Sequence, residues 1–460
     1  MIFGKESEKL CRIVAAAGMV MVLFADLQQL ALVLKTTPFL FGGMLWLNHT
    51  SLAFKFIIDV FTFILLLYFA WDDKLKSHSK RLSDIYTITI GSVLGLHLMV
   101  MACNLLSVYL AIEMVSIASY LMVAYRTENA FSSEAGLKYV LFGAASSAIM
   151  LYGISLLYGF SGSLDLISGN MVNGLMQANS MGVSLAIGLV LVGIGFKLSF
   201  VPAHFWVPDV YQGAPTPVTA YLSTLPKIAA FGLLVNFLTP FIFLAKFTAF
   251  NFQLVLSVIG IITMIAGNFA AVMQTNVKRM LAYSSIGHTG FALMAIVTFT
   301  QQGVSSLLYY LVVYAIANIG ALALATYFSN AENADDVNSY NGLGIKYPAA
   351  SVCFVIILIS LTGLPITAGF TGKLFVFSAV YTVYQQTHNV WLALLMVTGA
   401  LTTVVSLFYY IKIPLHLFLK KTDVTTTPVY QSKYILIFVI VITLIILLLG
   451  IFPDRLLQYL

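Results

Sequence analysis

Apolar stretches of roughly twenty residues alternate with short polar breaks from one end of the chain to the other. They fall near 11–34, 53–71, 84–103, 104–125, 136–160, 181–205, 217–238, 252–274, 278–300, 304–328, 349–384, 388–419 and 434–453. A bilayer core takes about 20 apolar helical residues, and backbone in lipid must satisfy its own hydrogen bonds. Each stretch therefore predicts a membrane-crossing helix, thirteen in all. The run 349–384 is too long for one straight crossing and too short for two, and glycines and Pro365 interrupt it. It predicts a broken helix whose unwound part lines a protein-buried or wet cavity. The first run is too long for a cleaved leader and lacks a small-residue cleavage site. The longest loops, 161–180 and 329–348, leave no room for a large extramembrane domain.

Composition agrees with this pattern. Of 460 residues, 60% are hydrophobic and 9% charged, with mean hydropathy +0.97. Soluble domains carry about 25% charged residues, so a water-soluble enzyme is excluded and an all-α polytopic membrane protein is expected. Cys11, Cys103 and Cys353 show no CxxC pair, zinc spacing or disulfide framework, and read as small buried residues. The cations segregate. Lys5, Lys9, Arg12, Lys74, Lys76, Lys80, Arg81, Arg126, Lys278, Arg279, Lys346, Lys420, Lys421 and Lys433 fall on the side of the N-terminus; Lys35, Lys55, Lys246 and Arg455 fall opposite. By the positive-inside rule the N-terminus is expected in the cytoplasm and the C-terminus on the far side of the membrane. The net charge of +6 then describes topology and lipid contact, with no nucleic-acid partner.

Five cations remain inside the crossings: Lys138, Lys197, Lys227, Lys373 and Lys412. A mid-helix lysine costs about 2.5–3.5 kcal/mol on insertion scales and marks a functional site by default. Glu113 lies mid-crossing, with no cation within a turn and a side chain too short to snorkel. Lys197 follows sixteen uncharged residues, Lys227 follows Pro226, and Lys373 belongs to the interrupted run. These four are the expected proton-handling residues, set against a purely structural, hydrogen-bonded reading of each. Lys138 stands near a helix start and reads equally as a snorkelling side chain; Lys412, near Lys420 and Lys421, reads as an anchor. His204 and His288 are secondary relay candidates. His97 has no partner in the sequence, and Asp26, Asp59 and Lys55 read as interfacial. No thiolate set, haem-ligand pair or nucleotide-binding glycine loop is present, so neither redox chemistry nor nucleotide hydrolysis is expected on this chain.

Crossings 3–7 and 8–12 form two blocks of five, and an odd number per block inverts the second. Lys197 then corresponds to Lys373, Lys227 to Lys412, and Glu113 to His288. The expected organisation is 1–83 for N-terminal helices, 84–238 and 239–420 for two inverted five-helix repeats, and 421–460 for a C-terminal crossing.

Residues 195–232, GFKLSFVPAHFWVPDVYQGAPTPVTAYLSTLPKIAAFG, resemble the signature of antiporter-like membrane subunits of respiratory complex I (NADH:quinone oxidoreductase, NDH-1). The DVYQGAP element is similar to the NuoN type in particular. IEMVSIASYLMVAYR around Glu113, QTNVKRMLAYSSIGHTG from Gln274 and LTGLPITAGFTGKL at 361–374 extend the resemblance over roughly residues 84–420. It implies fourteen helices, two of them broken, of which the first is absent here, and a lateral proton path at mid-membrane. Glu113 matches the family's key acid, Lys197 its partner lysine, Lys227 the central relay lysine and Lys373 the lysine of the second broken helix; Lys138 and His204 match secondary polar positions. A switchable Glu113–Lys197 ion pair would pass a proton through Lys227, then by way of serines, His288, Tyr309, Tyr310 and water, to Lys373. NADH, FMN, iron–sulfur clusters and quinone are then expected in partner subunits, hydrophilic and membrane-arm, with no cofactor or metal on this chain. An Mrp-type cation/proton antiporter subunit and a passive membrane-arm scaffold are the alternatives.

Overall fold

The computed structural model describes residues 8–77, 82–243, 247–420 and 433–458. Lys5, Lys80, Arg81, Lys246 and Lys421 of the charge pattern lie outside the described residues. The helices are α1 (Glu8–Val33), α2 (His49–Phe69), α3 (Asp73–Lys76), α4 (Ser83–Met101), α5 (Leu105–Val123), α6 (Ala130–Ser161), α7 (Asn170–Gln177), α8 (Ser180–Leu198), α9 (Trp206–Gly213) and α10 (Thr216–Phe243). They continue as α11 (Phe252–Val272), α12 (Val277–Ile296), α13 (Gln301–Glu332), α14 (Leu343–Lys346), α15 (Pro348–Thr362), α16 (Ala368–Thr387), α17 (Val390–Tyr410), α18 (Lys412–Phe418), α19 (Lys433–Ile451) and α20 (Asp454–Leu457). Every window read as a crossing holds a helix, and among the described residues eleven helices are long and apolar enough to cross a membrane by themselves. A two-residue antiparallel pair, Phe39–Leu40 with Leu45–Trp46, is a small departure from the all-α expectation.

The helix starts follow from local chemistry. Asn104, Asn129, Asn179, Asn276 and Asn389 each accept a backbone N–H of the first turn of α5, α6, α8, α12 and α17. Such a cap is worth about 1 kcal/mol, and it ends an apolar run cleanly where the chain re-enters the bilayer. Two runs break. After α8, Ser199 adopts φ +64°, and Val201, Pro202 and their neighbours form turns before α9. After α15, Gly363 and Ile366 adopt φ +85° and +76° around Pro365 before α16. The interrupted run 349–384 is thus two helices, α15 and α16, as its glycines and proline predicted.

The chain divides into two compact units. The first comprises Met1–Leu67, Ser79–Trp206 and Leu225–Phe252; the second comprises Tyr68–His78, Val207–Thr224 and Gln253–Leu460. Within the first, α6 and α8 pack so closely that a Cβ at Gly153 would sit 2.8 Å from the Ala186 carbonyl. Within the second, α13 is the hub: it packs on α12, α15, α16 and α19 and is buried along almost its whole length.

Candidate functional site

Each unit holds a buried ionisable centre. In the first, Lys197 stands in the last turn of α8, where the helix's unpaired carbonyls favour a cation. It is 2% exposed, and its ammonium has no hydrogen-bond partner among the described residues. It lies 5.8 Å from the Tyr139 ring centre and 5.9 Å from that of Phe196. Trp206 fixes this aromatic wall, stacking on Tyr139 at 4.5 Å and donating its indole N–H to the Phe196 carbonyl. Glu113 on α5 is half-buried and accepts a hydrogen bond from Ser147 of α6. Glu113 is within electrostatic reach of Lys197, but the direct ion pair expected from the sequence is not made. The carboxylate is engaged by a hydroxyl, and the ammonium is held among ring faces.

Lys227 is 3% exposed on α10, immediately after Pro226. A proline within a helix withholds the N–H that would bond four residues back, which leaves the Leu222 carbonyl without its helical donor. His204, in the break after α8, is half-buried against Phe205, and its Nδ1 has no hydrogen-bond partner among the described residues. Lys138 pairs with Glu134 at 2.8 Å across one turn of α6, both side chains well exposed.

In the second unit Lys373 enters from the second turn of α16. Its ammonium donates to the Thr362 carbonyl at the end of α15 (2.7 Å) and to the Thr403 hydroxyl of α17 (3.2 Å), and lies 5.1 Å from the Phe291 ring centre. The break in the helix therefore supplies the carbonyl that receives the lysine. His288 Nδ1 meets the Tyr310 hydroxyl at 2.7 Å, and Nε2 meets that of Tyr410 at 3.2 Å, which in turn contacts Ser284. Lys373, His288, Tyr310, Thr403, Ser406 and Tyr409 line one small cavity, with room on the order of one water molecule. Tyr309 corrects the expected path: its hydroxyl faces Thr371 and the Leu449 carbonyl, at 2.9 and 3.0 Å. Lys412 has protein partners. It caps the carbonyl end of α11 at Val272 and Gln274.

Gly363 makes the Lys373 seat possible. An added Cβ there would lie 2.7 Å from Lys373 Cδ, on a backbone of φ +85°. Gly363→Ala is expected to cost about 1–3 kcal/mol of stability and to lower proton translocation as far as Lys373→Met does. Thermal unfolding and vesicle acidification check the two effects.

The structure also assembles a group that the sequence left scattered. Asp26 of α1, Lys55 and Asp59 of α2, and His97 of α4 come together in the first unit. Asp26 and Lys55 are each 3% exposed and Asp59 is 0% exposed. Lys55 donates to Asp26 at 2.7 Å and to Gln29 at 2.6 Å, and His97 Nε2 meets Asp59 at 2.8 Å. These residues are buried against one another, and His97 does have a partner. The signal was present in the spacing: Lys55 and Asp59 are four apart and share a helix face.

The signature motifs have a structural role as well. Arg279 Nη1 donates to Asp209 at 2.6 Å and to Gln212 at 3.1 Å, while its Nε donates to Gln274 at 3.1 Å. Lys278 donates to the Ala214 carbonyl. The DVYQGAP and QTNVKR segments are thus clamped together.

The family model of the NADH:quinone oxidoreductase/Mrp antiporter transmembrane region matches residues 102–403, which include the buried Lys197, Lys227 and Lys373 but not Lys55. The chain belongs to this family. Among its antiporter-family relatives is NADH-quinone oxidoreductase subunit N 2 of Chloroherpeton thalassium, 42% identical over 388 residues, covering 83% of this chain and 75% of that one. NADH-quinone oxidoreductase subunit N 1 of Thermodesulfovibrio yellowstonii is 35% identical over 413 residues, covering 90% and 86%. A chain of respiratory complex I from Thermus thermophilus superposes with TM-score 0.75 at 28% identity over 98% of both chains. A chain of the Mrp complex from Dietzia sp. DQ12-45-1b shares the antiporter-family fold, with TM-score 0.80 at 19% identity over 98% and 91%.

Proposed function

We propose that this chain is a proton-translocating membrane-arm subunit of NADH:quinone oxidoreductase, working beside the membrane and hydrophilic subunits of that complex. The observation that carries this reading is the near-complete burial of Lys197, Lys227 and Lys373, at 2%, 3% and 8% exposure, on α8, α10 and α16. Relatives named as subunit N, 42% and 35% identical, support it.

In the proposed cycle Glu113, held by Ser147, serves the Lys197 ammonium as an adjustable counter-charge. When Glu113 is held charged, Lys197 keeps its proton; when that charge is neutralised or withdrawn, the buried ammonium loses its compensation and releases it. Lys227 is the next acceptor on the first unit. In the second unit His288, flanked by two tyrosine hydroxyls, and Lys373, seated on the Thr362 carbonyl, take part in the same proton cycle. Both helix breaks serve one end, since each frees backbone carbonyls at a buried lysine. The energy comes from quinone reduction in partner subunits, which would hold the FMN and iron–sulfur groups. We place the N-terminus in the cytoplasm and the C-terminus opposite.

The test is proton translocation in inverted membrane vesicles driven by NADH. Lys227→Ala is expected to lower protons moved per NADH oxidised, with the complex still assembled. Sodium transport by the chain isolated from dehydrogenase subunits would favour an antiporter of the Mrp kind. Unaltered pumping with both Glu113 and Lys197 replaced would leave only a scaffold.

A further inference from the structure

We propose that Asp26, Lys55, Asp59 and His97 form a second proton-binding site, in which the two carboxyl groups hold one proton between them and His97 is its route of exchange. Formal charge points this way. Two carboxylates and one ammonium leave a single negative charge among side chains that are at most 3% exposed, and a buried uncompensated charge is strongly disfavoured. One proton cancels it.

The geometry shows where that proton would sit. Each carboxyl has one oxygen engaged, Asp26 Oδ1 by Lys55 and Asp59 Oδ1 by His97. The remaining oxygens, Asp26 Oδ2 and Asp59 Oδ2, are buried and lack a hydrogen-bond partner among the described residues. The two carboxyls are within hydrogen-bonding reach of one another, and ligand atoms of Asp26, Asp59 and His97 lie within 4.8 Å of each other. A metal ion fits poorly. The Lys55 ammonium already occupies the cation's place beside Asp26, and two unclaimed oxygens fall short of the six to eight that calcium takes. A proton needs only the two. The groups facing the site are Asp26 and Gln29 from α1, Lys55 and Asp59 from α2, and His97 from α4.

His97 is the exposed member, its side chain 12% accessible against 0% for Asp59. A proton taken up at its Nδ1 is matched by one given from Nε2 to Asp59, so the ring carries a proton without keeping one. The site also lies level with the Glu113 centre. Gly95 of α4 packs on Met114 and Val115 of α5, and because a short loop joins the two helices in opposite directions, His97 comes to the height of Glu113. The proposal rests on the proton-translocating reading only for what the proton is used for.

The test is infrared spectroscopy of the full chain in its native membrane complex, following the band of protonated carboxyl groups through exchange into heavy water. A band at neutral pH is expected, lost in Asp26→Asn and in Asp59→Asn alike and kept in Glu113→Gln. In His97→Phe the band is expected to persist and its exchange to slow at least tenfold; this variant keeps both carboxyls and serves where an Asn variant fails to assemble. A band that survives both Asn changes, or that disappears on adding sodium at constant pH, overturns the proposal, as does unaltered exchange in His97→Phe. Pumping measured on the same samples judges the lysine relay separately.

Discussion

Replacing Glu113 by Gln, or Lys197 by Met, is expected to cut NADH-driven proton translocation by well over tenfold in an assembled complex. In an effective dielectric near 20, two opposite charges attract by about 4 kcal/mol at 4 Å and by less at greater separation, and 1.4 kcal/mol is a factor of ten. The pair is not in contact, since Ser147 holds the carboxylate and the lysine lies among Tyr139 and Phe196. Small movements of Glu113 therefore change the coupling without breaking a hydrogen bond to the lysine. Moving one charge against about 150 mV costs roughly 3.5 kcal/mol, so a swing of this size gates a proton but does not drive it. The double variant should be hardly worse than either single one, because both remove the same interaction. Vesicle acidification with all three variants decides the matter: additive losses would mean that the two residues act independently.

Lys55→Met is expected to be the most damaging single change to folding, although Lys55 lies outside the lysine relay. It leaves Asp26 and Asp59 facing one another with no cation, and breaking a buried pair by removing one partner costs about 3–5 kcal/mol. Asp26→Asn together with Asp59→Asn in the same chain should recover much of that loss, since the site then holds no charge. Alone, Asp26→Asn leaves Lys55 with Asp59 and should be mild. The yield and thermal unfolding of the detergent-extracted chain check this ordering. Equal loss in Lys55→Met and in the triple variant would refute the charge account.

Much of the fold was legible in the residues. Insertion in a bilayer sets a coarse rule, about twenty apolar residues per crossing, and this chain obeys it run by run. Gly363 and Pro365 marked the helix break because few residues other than glycine tolerate φ +85°. Glu113, Lys197, Lys227 and Lys373 stood out because each is a charge without a neighbour of opposite sign. Isolation along the chain is what periodicity can detect.

Partnership was not legible. Lys55 and Asp26 are 29 positions apart, and His97 and Asp59 are 38 apart. Read singly, Asp26, Lys55 and Asp59 looked like residues at a membrane edge and His97 like one with no partner, and only the packing of α1, α2 and α4 made them one buried group. The same holds for Tyr309 and Tyr310, neighbours in sequence whose hydroxyls serve Leu449 and His288 respectively. Sequence alone determined that the chain lives in a membrane, where its helices run and which charges are out of place there. Tertiary structure decided which of those charges meet, because adjacent helical positions point about 100° apart and only the neighbouring helices determine what each one faces.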